Sequence, residues 1–364
     1  MTTIEEIHIP GFEKVLEAKN PAVGLHAFIA LHNTTLGPGL GGTRIFPYAT
    51  KEQALTDVLR LSQGMTSKSA ITKVGFGGAK AVIVGDHRKI KTPALFKAYG
   101  EVLNTLKGQY ITAEDIGTTT DDVAELLKTT PYVVGLPFEQ GGGGDPSPFT
   151  AWGVVKGIEA VCSFLYGSTN LEGKRIAIQG LGKVGAPLAG FLFWRGAKLF
   201  VADPDEKVLN HYAQLYNAEK IGTNDIHKVA CDIYAPCALG GILNDQTIPE
   251  LKCQAIAGCA NNQLLTEQHA QMLQDRSILY APDYVINAGG LINVALELLP
   301  QGYNSTNARH LVNQIESTLT RLFTLSAEKK ITPLEASIHL TQEYLDKKIG
   351  KRTEQPHFQK CKPS

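Results

Sequence analysis

Apolar positions change their period repeatedly along the first third of the chain, and each change predicts an element. LHAFIALH (25–32) is a nearly unbroken apolar run, short enough to be a buried strand. EQALTDVLRLSQGM (52–65) instead spaces Leu55, Val58, Leu59, Ser62 and Met65 along one stripe of a helix. A strand is expected at KAVIVG (80–85) and a helix at PALFKAYGEVLNTLKG (93–108). YITAED (110–115) reads as a further strand and TTDDVAELLKTT (119–130) as a further helix. This βαβα order predicts layered α/β structure.

EQGGGGDPSP (139–148) interrupts the pattern. Four consecutive glycines followed by two prolines continue neither element, so a hinge or domain boundary is expected there. A long helical pattern, FTAWGVVKGIEAVCSFLYG (149–167), leads into a second βαβ series that starts at RIAIQGLGKVG and runs to YAPDYVINAGG. From about Ser305 the chain is helical, through STNARHLVNQIESTLTRLFTLSAEKK and TPLEASIHLTQEYLDKKIG. The basic tail KRTEQPHFQKCKPS is expected to be mobile or docked on a partner subunit. The expected division is a first domain, 1–143 with the C-terminal helices of about 331–364, and a second, 144–330.

Composition narrows the class. The 364 residues suffice for two cores, and Lys+Arg equals Asp+Glu at 35 each, which gives no sign of a nucleic-acid or acidic-membrane surface. No apolar run approaches the roughly 18 residues of a membrane helix; LAGFLFW, the longest, reads as a buried helix face. MTTIEEIHIP is polar and acidic, unlike a secretion signal. The six cysteines, Cys162, Cys231, Cys237, Cys253, Cys259 and Cys361, form no C-x-x-C pair. Most sit in apolar company, so they read as reduced small hydrophobes in a cytoplasm. The histidines, His26 and His32 among them, show no metal-ligand spacing, and no metal is expected.

RIAIQGLGKVG (175–185) runs a strand into G-x-G-x-x-G at Gly180, Gly182 and Gly185, with Leu181, Lys183 and Val184 between them. The first glycine makes the tight turn, the second admits a pyrophosphate, and the third lets the helix pack on the strand. KLFVADPD (198–205) reads as the next strand, and its Asp203 stands 18 residues past Gly185. A carboxylate there accepts hydrogen bonds from both ribose hydroxyls and repels a 2′-phosphate, so NAD is expected rather than NADP. The second domain is therefore expected to be a Rossmann domain.

KSAITKVGFGGAK (68–80) sets three lysines around glycines. The phosphate loop G-x-x-x-x-G-K-[ST] fails here, because Ala81 follows Lys80. A catalytic amine and a solvated turn both remain open on these residues alone. The wider sequence resembles a known family. GPGLGGTR (37–44), GMTSKSA (64–70), GFGGAK (75–80), ITAEDIGTT (111–119), GDPSPFTAWGV (144–154), IYAPCALGG (233–241), AGCANNQL (257–264) and YAPDYVINAGGLINVA (280–295) are similar, in order over most of the chain, to the glutamate/leucine/phenylalanine/valine dehydrogenases. ITAEDIGTT and the length are most similar to the leucine-acting members.

The resemblance implies an N-terminal α/β catalytic domain and a Rossmann NAD-binding domain across a cleft. It implies oxidative deamination of leucine and other branched-chain amino acids to 2-oxoacid and ammonia, in a homo-oligomer that is octameric among the leucine enzymes. Lys68, helped by Asn262, would bind the substrate carboxylate. Lys80 would be the general base acting on the attacking water, with the Lys68 cation favouring its neutral form. Asp115 would shuttle protons at the amine. The glycines around Lys80 would let backbone approach a small substrate, and Lys73 is left as surface charge. Thr150, Cys237, Ala238, Ala260 and Asn261 would add to the dinucleotide site.

The side-chain pocket would comprise Leu40, Gly41, Met65, Ala113, Leu291 and Val294. Glutamate-acting members carry a lysine and a hydroxyl where Leu40 and Val294 stand, so an acidic substrate is disfavoured. Leu291 departs from the valine of leucine-acting members; its extra methylene either trims the pocket toward smaller substrates or repacks harmlessly. Asp145 in place of an asparagine, Ala79 in place of a glycine, and ALEL in place of a DEL sequence after Val294 are further departures. An aromatic amino-acid dehydrogenase and a non-catalytic NAD-binding regulator are the alternative expectations.

Overall fold

The computed structural model describes residues 1–359, which form two compact units. The first comprises Met1–Asp145, Leu291–Ser305 and the chain from Thr341; the second comprises Pro146–Gly290 and Thr306–Leu340. The chain thus leaves the first unit directly after the glycine run, rejoins it for Leu291–Ser305, a stretch the expected 144–330 division assigned to the second, and returns finally at Thr341, a little past the expected boundary near 330. Among the described residues, no helix is long and apolar enough to cross a membrane.

The first unit holds a sheet of β1 (Thr3–Glu6), β2 (Lys14–Asn20), β3 (Leu25–Asn33), β4 (Gly39–Leu40), β5 (Thr43–Phe46), β6 (Gly77–Val84) and β7 (Tyr110–Ile111). The order is β1-β2-β3-β6-β4-β7, with β5 also on β6. Side-chain alternation divides its faces. Ala27, Ile29 and Leu31 of β3 join Ala79, Ala81 and Ile83 of β6 against the helix Pro93–Thr105. Phe28, Ala30 and Val82 point the other way, under Ala54 and Val58 of the helix Lys51–Thr72. Lys80 pairs with Ala30 across the ladder, so period two assigns it to this second face, beneath the helix that carries Lys68.

That helix starts at Thr50, whose side chain accepts the Gln53 N–H, and ends at Lys73 in left-handed conformation. It buries small residues, Ala54, Ser62, Thr66, Ser69 and Ala70, beside Val58, so its backbone lies very close to β6. A Cβ on Gly78 would stand 2.1 Å from the Thr66 nitrogen. This glycine is thus required by helix-on-strand packing within the protein. Lys73 is more than surface charge: besides ending the helix, it places Nζ 5.1 Å from the Tyr344 ring centroid.

The YITAED segment is less regular than expected. Only Tyr110–Ile111 form a strand; Thr112 then bridges to Val133 and Glu114 to Thr43. The start of the tail also differs, because it docks on its own unit. The Arg352 guanidinium donates to the Leu298 carbonyl and lies over Phe76, His357 N–H donates to Leu298, and Phe358 meets Tyr132 edge to face. The rest of the tail, including Cys361, lies outside the described residues.

The second unit has six strands, β8 (Arg175–Gln179), β9 (Lys198–Ala202), β10 (Glu219–Lys220), β11 (Ile233–Pro236), β12 (Ala255–Ile256) and β13 (Leu279–Tyr280). Every pairing is parallel and the order is β10-β9-β8-β11-β12-β13. This is the doubly wound order, with its switch point between β8 and β11, where such sheets bind ligands at the strands' carboxyl ends. The helix Gly185–Phe193 is largely buried as expected for LAGFLFW, except that Trp194 at its end is 82% exposed.

Candidate active site

Three chain segments meet at one carboxylate in the first unit. β6 carries Lys80, β5 carries Arg44, and Asp115 lies in the turn beyond the Glu114 bridge. Lys80 Nζ stands 3.2 Å from Asp115 Oδ1, and Arg44 Nε donates to Oδ2 at 2.9 Å. Burial pushes the Asp115 carboxyl upward, but the Lys80 and Arg44 cations outweigh it and hold the group below the ordinary carboxylate range. The turn is fixed locally. Thr118 Oγ1 accepts the Asp115 N–H at 2.7 Å and donates to the Thr43 carbonyl at 2.9 Å.

Arg44 is itself held by Asp57, to which Nη1 donates at 2.8 Å; Tyr48 donates to the same oxygen at 2.5 Å. Burial and the Asp57 carboxylate together push the Tyr48 phenol well above its usual range, so it remains a donor. Sequence reasoning assigned no role to Arg44, Asp57, Tyr48 or Thr118. Arg44 does end the GPGLGGTR stretch, which was the available signal. Lys80 is almost fully buried and Lys68 half-buried, on separate elements of this unit.

Beside these groups Leu40, Leu291 and Val294 are buried in one apolar cluster with Phe76, Ile111, Val134, Ala295 and Leu298; Met65 and Ala113 pack against it. Five of the six expected pocket residues are therefore brought together. The sixth, Gly41, is buried next to Leu40, and its N–H donates to the Ile111 carbonyl. Glu297 was missed. It follows Val294 by three residues and buries its carboxylate against three backbone donors: Gly135 at 2.9 Å, Leu136 at 3.4 Å and Gly143 at 2.8 Å. Desolvation outweighs these bonds and pushes its carboxyl up to about 7. So the ALEL departure keeps a buried acid that ties the turn Leu296–Leu298 to Gly135, Leu136 and the glycine run.

In the second unit, the turn after β8 has the geometry of a dinucleotide loop. A Cβ on Gly185 would fall 1.9 Å from the Gly180 carbonyl oxygen, which only glycine allows, whereas one on Gly182 would meet no atom. Leu181 is buried, Lys183 exposed and Val184 between the two. Asp203, just past β9, accepts the Leu181 N–H at 2.7 Å and the Asp205 N–H at 2.9 Å, so it holds the glycine loop. Cys237 and Ala238 follow β11, and a Cβ on Gly180 would touch Ala238. Ala260 N–H donates to the Pro236 carbonyl, Asn261 Oδ1 accepts from Asn287 at 2.7 Å, and Asn262 has a left-handed backbone. Thr150 lies in the first turn of the helix Ser147–Tyr166, with its hydroxyl bonded to Pro146. Asn262 belongs to the second unit and Lys68 to the first. The open glycine turn, the carboxylate at the end of β9 and the parallel switch point fit a nicotinamide dinucleotide.

Comparison with known proteins agrees with this geometry. Residues 13–132 match the model described as Glu/Leu/Phe/Val dehydrogenase, dimerisation domain, and residues 199–338 match Glutamate/Leucine/Phenylalanine/Valine dehydrogenase. The chain is 45% identical to a phenylalanine dehydrogenase of Caldalkalibacillus thermarum (strain TA2.A1), over 96% of this chain and 95% of that protein. It is 46% identical to a leucine dehydrogenase of Geobacillus stearothermophilus, over 92% and 91%. The crystal structure of L-tryptophan dehydrogenase from Nostoc punctiforme superimposes with a TM-score of 0.81 at 42% identity, covering 94% of this chain and 97% of that one. The chain therefore belongs to the Glu/Leu/Phe/Val dehydrogenase family and is an amino-acid dehydrogenase of its leucine/phenylalanine branch, a family that uses NAD(P).

Proposed function

We propose that this enzyme catalyses the reversible oxidative deamination of branched-chain L-amino acids, leucine foremost, with NAD as acceptor. The supporting observation is the composition of the apolar cluster beside Lys80. Leu40, Met65, Ala113, Leu291 and Val294 supply aliphatic and thioether surface and no group that could neutralise a side-chain carboxylate. In the reaction, amino acid, NAD and water become 2-oxoacid, ammonia, NADH and a proton. NAD, when bound, supplies the acceptor for the Cα hydrogen as hydride. Lys68 holds the substrate carboxylate, Asp115 takes the amine proton, and Lys80 withdraws a proton from the water that attacks the imine carbon. Arg44 fixes the orientation of Asp115 through Oδ2 and leaves Oδ1 to face Lys80.

NAD is favoured over NADP because the Asp203 carboxylate would repel a 2′-phosphate. A homo-oligomer, octameric as in the leucine enzymes the sequence resembles, is part of the same reading. A second reading, an aromatic substrate, is supported by relatives named phenylalanine and tryptophan dehydrogenase. The test is NADH formation at alkaline pH with leucine, isoleucine, valine, phenylalanine, tryptophan and glutamate. Highest kcat/KM for leucine is expected. A lead by phenylalanine or tryptophan overturns the aliphatic assignment, and a lead by glutamate overturns the pocket argument altogether.

A further inference from the structure

Two pairs of cysteines lie at opposite ends of the same two strands. β11 and β12 run parallel with Ile233 opposite Ala255 and Tyr234 opposite Ile256. Counting back two residues brings Cys231 opposite Cys253 at the amino ends; at the carboxyl ends Cys237 follows β11 directly and Cys259 follows β12 by three residues. Neighbouring strands are roughly 4.8 Å apart, inside the roughly 4.4–6.8 Å Cα separation that a disulfide spans. All four thiols are reduced in the structure.

The pairs differ in environment. Cys231 and Cys253 are buried in the core of the second unit, and burial pushes both thiols up to about 12. Cys162, also buried, is pushed up to about 11. Cys237 and Cys259 are half-buried. Beyond β12 the ladder slips: Ala257 N–H donates to Tyr234 as a parallel ladder requires, but it is Ala260 N–H that takes the Pro236 carbonyl. The intervening Cys259 N–H turns to the Cys237 sulfur, as does the Cys259 thiol. The Cys259 thiol, and after it the Cys259 N–H, hold the Cys237 thiol below its ordinary range against the upward push of burial, so the more acidic cysteine has a second one in contact. A Cβ on Gly185 would lie 3.4 Å from the Cys237 Cβ, so the pair adjoins the glycine turn.

We propose that Cys237 and Cys259 are a redox-modification site, closing to a reversible disulfide under a peroxide and thereby weakening dinucleotide binding at the adjacent glycine turn. This rests on the reading of that turn as the dinucleotide site. The Cys237 thiolate attacks one peroxide oxygen and displaces hydroxide, forming a sulfenic acid. Cys259 gives its proton to that hydroxide, attacks the sulfenic sulfur and displaces a second hydroxide, which takes up the proton released when Cys237 ionised. The two sulfurs lose two electrons, and one hydrogen peroxide becomes two waters. Drawing the sulfurs to roughly 2.05 Å shifts Cys237 against the turn, and a thiol reductant reverses the bond.

The full-length protein is treated with hydrogen peroxide, alkylated, digested and read by mass spectrometry, while NADH affinity is followed by fluorescence. The expected result is a Cys237–Cys259 linked peptide, with NADH affinity reduced by about tenfold or more and restored by dithiothreitol. Cys259→Ser should bind NADH before treatment, form no link, and trap a dimedone-reactive sulfenic acid on Cys237. Several outcomes overturn the proposal: both thiols still alkylatable after excess peroxide, a link between Cys231 and Cys253 instead, or a Cys237–Cys259 link that leaves NADH affinity unchanged. If the reduced wild-type protein binds no NADH while the link still forms, the dinucleotide reading falls and the coupling with it.

Discussion

Arg44 and Asp115 are joined by a direct Nε–Oδ2 hydrogen bond of 2.9 Å, which leaves the other carboxylate oxygen to Lys80. The Asp115 carboxylate, proposed above to move the amine proton, is therefore shared between two cations on neighbouring strands, and its orientation is set by Arg44. Replacing Arg44 by methionine keeps much of the volume and removes that constraint. Arg44→Met should lower kcat by about 10²-fold, the range of a misoriented acid–base group, with little change in NADH affinity.

The same substitution has a consequence for pH. The folded-state pKa of Asp115 is depressed, so its contribution to stability is present above the ordinary value of 3.8 and is lost as pH falls through the folded value. Removing one of the two cations that outweigh burial should raise that pKa and start the acid-induced loss at higher pH. It should also cost about 1–3 kcal/mol at neutral pH, because Asp115 and Asp57 lose a charged partner. Chemical denaturation of wild type and Arg44→Met between pH 3 and 7 measures both effects. Superimposable curves would show that Arg44 contributes nothing to the carboxylate.

Lys80→Ala should remove turnover by about 10³-fold or more while NADH still binds, since β6 and the glycine turn belong to different units. Turnover within a few-fold of wild type would exclude Lys80 as the base.

Leu291→Val shortens one wall of the apolar cluster by a methylene. The ratio of kcat/KM for leucine over valine should rise by about tenfold, within the 1–3 kcal/mol that a methylene commands. A fixed ratio with lowered stability would mean that Leu291 packs the core and does not face the substrate.

Asp203→Ala removes both the carboxylate proposed to hold the ribose and the acceptor of the Leu181 N–H. NADH should bind at least about tenfold more weakly, and the NADH-to-NADPH preference should fall. Unchanged preference, measured by fluorescence titration, would place the discriminating group elsewhere.

Glu297 makes a prediction of the opposite sign to Asp115. Its folded pKa is raised to about 7 from 4.5, so its stabilising contribution is complete below 4.5 and is lost as pH rises through 7. Ionisation of the buried carboxyl should therefore cost wild type about 3 kcal/mol across that window. Glu297→Gln cannot ionise, so its stability relative to wild type should improve by about that amount between pH 4.5 and 8. A pH-independent difference between the two proteins would refute the assignment.

The chain's own periods and motifs determined much of this protein. The short apolar runs of β3 and β6, the 3.6-residue stripe of the Lys51–Thr72 helix and the G-x-G-x-x-G turn each encode a local conformation that neighbouring residues enforce on one another. Hence the elements, the doubly wound second unit and the candidate lysines were legible in the sequence. Only the tertiary structure decided which distant groups share a charge. Arg44, Lys80 and Asp115 come from three segments, and Glu297 reaches backbone more than 150 residues earlier. The strand of YITAED broke into bridges because its partners change along its length, and the start of the tail docked because Leu298 and Phe76 offered a carbonyl and a ring to Arg352. The slip past β12 that turns Cys259 toward Cys237 is of the same kind. Periodicity reports which face a residue occupies, whereas ion pairing, desolvation and the acidity of a thiol depend on what the rest of the chain brings to that face.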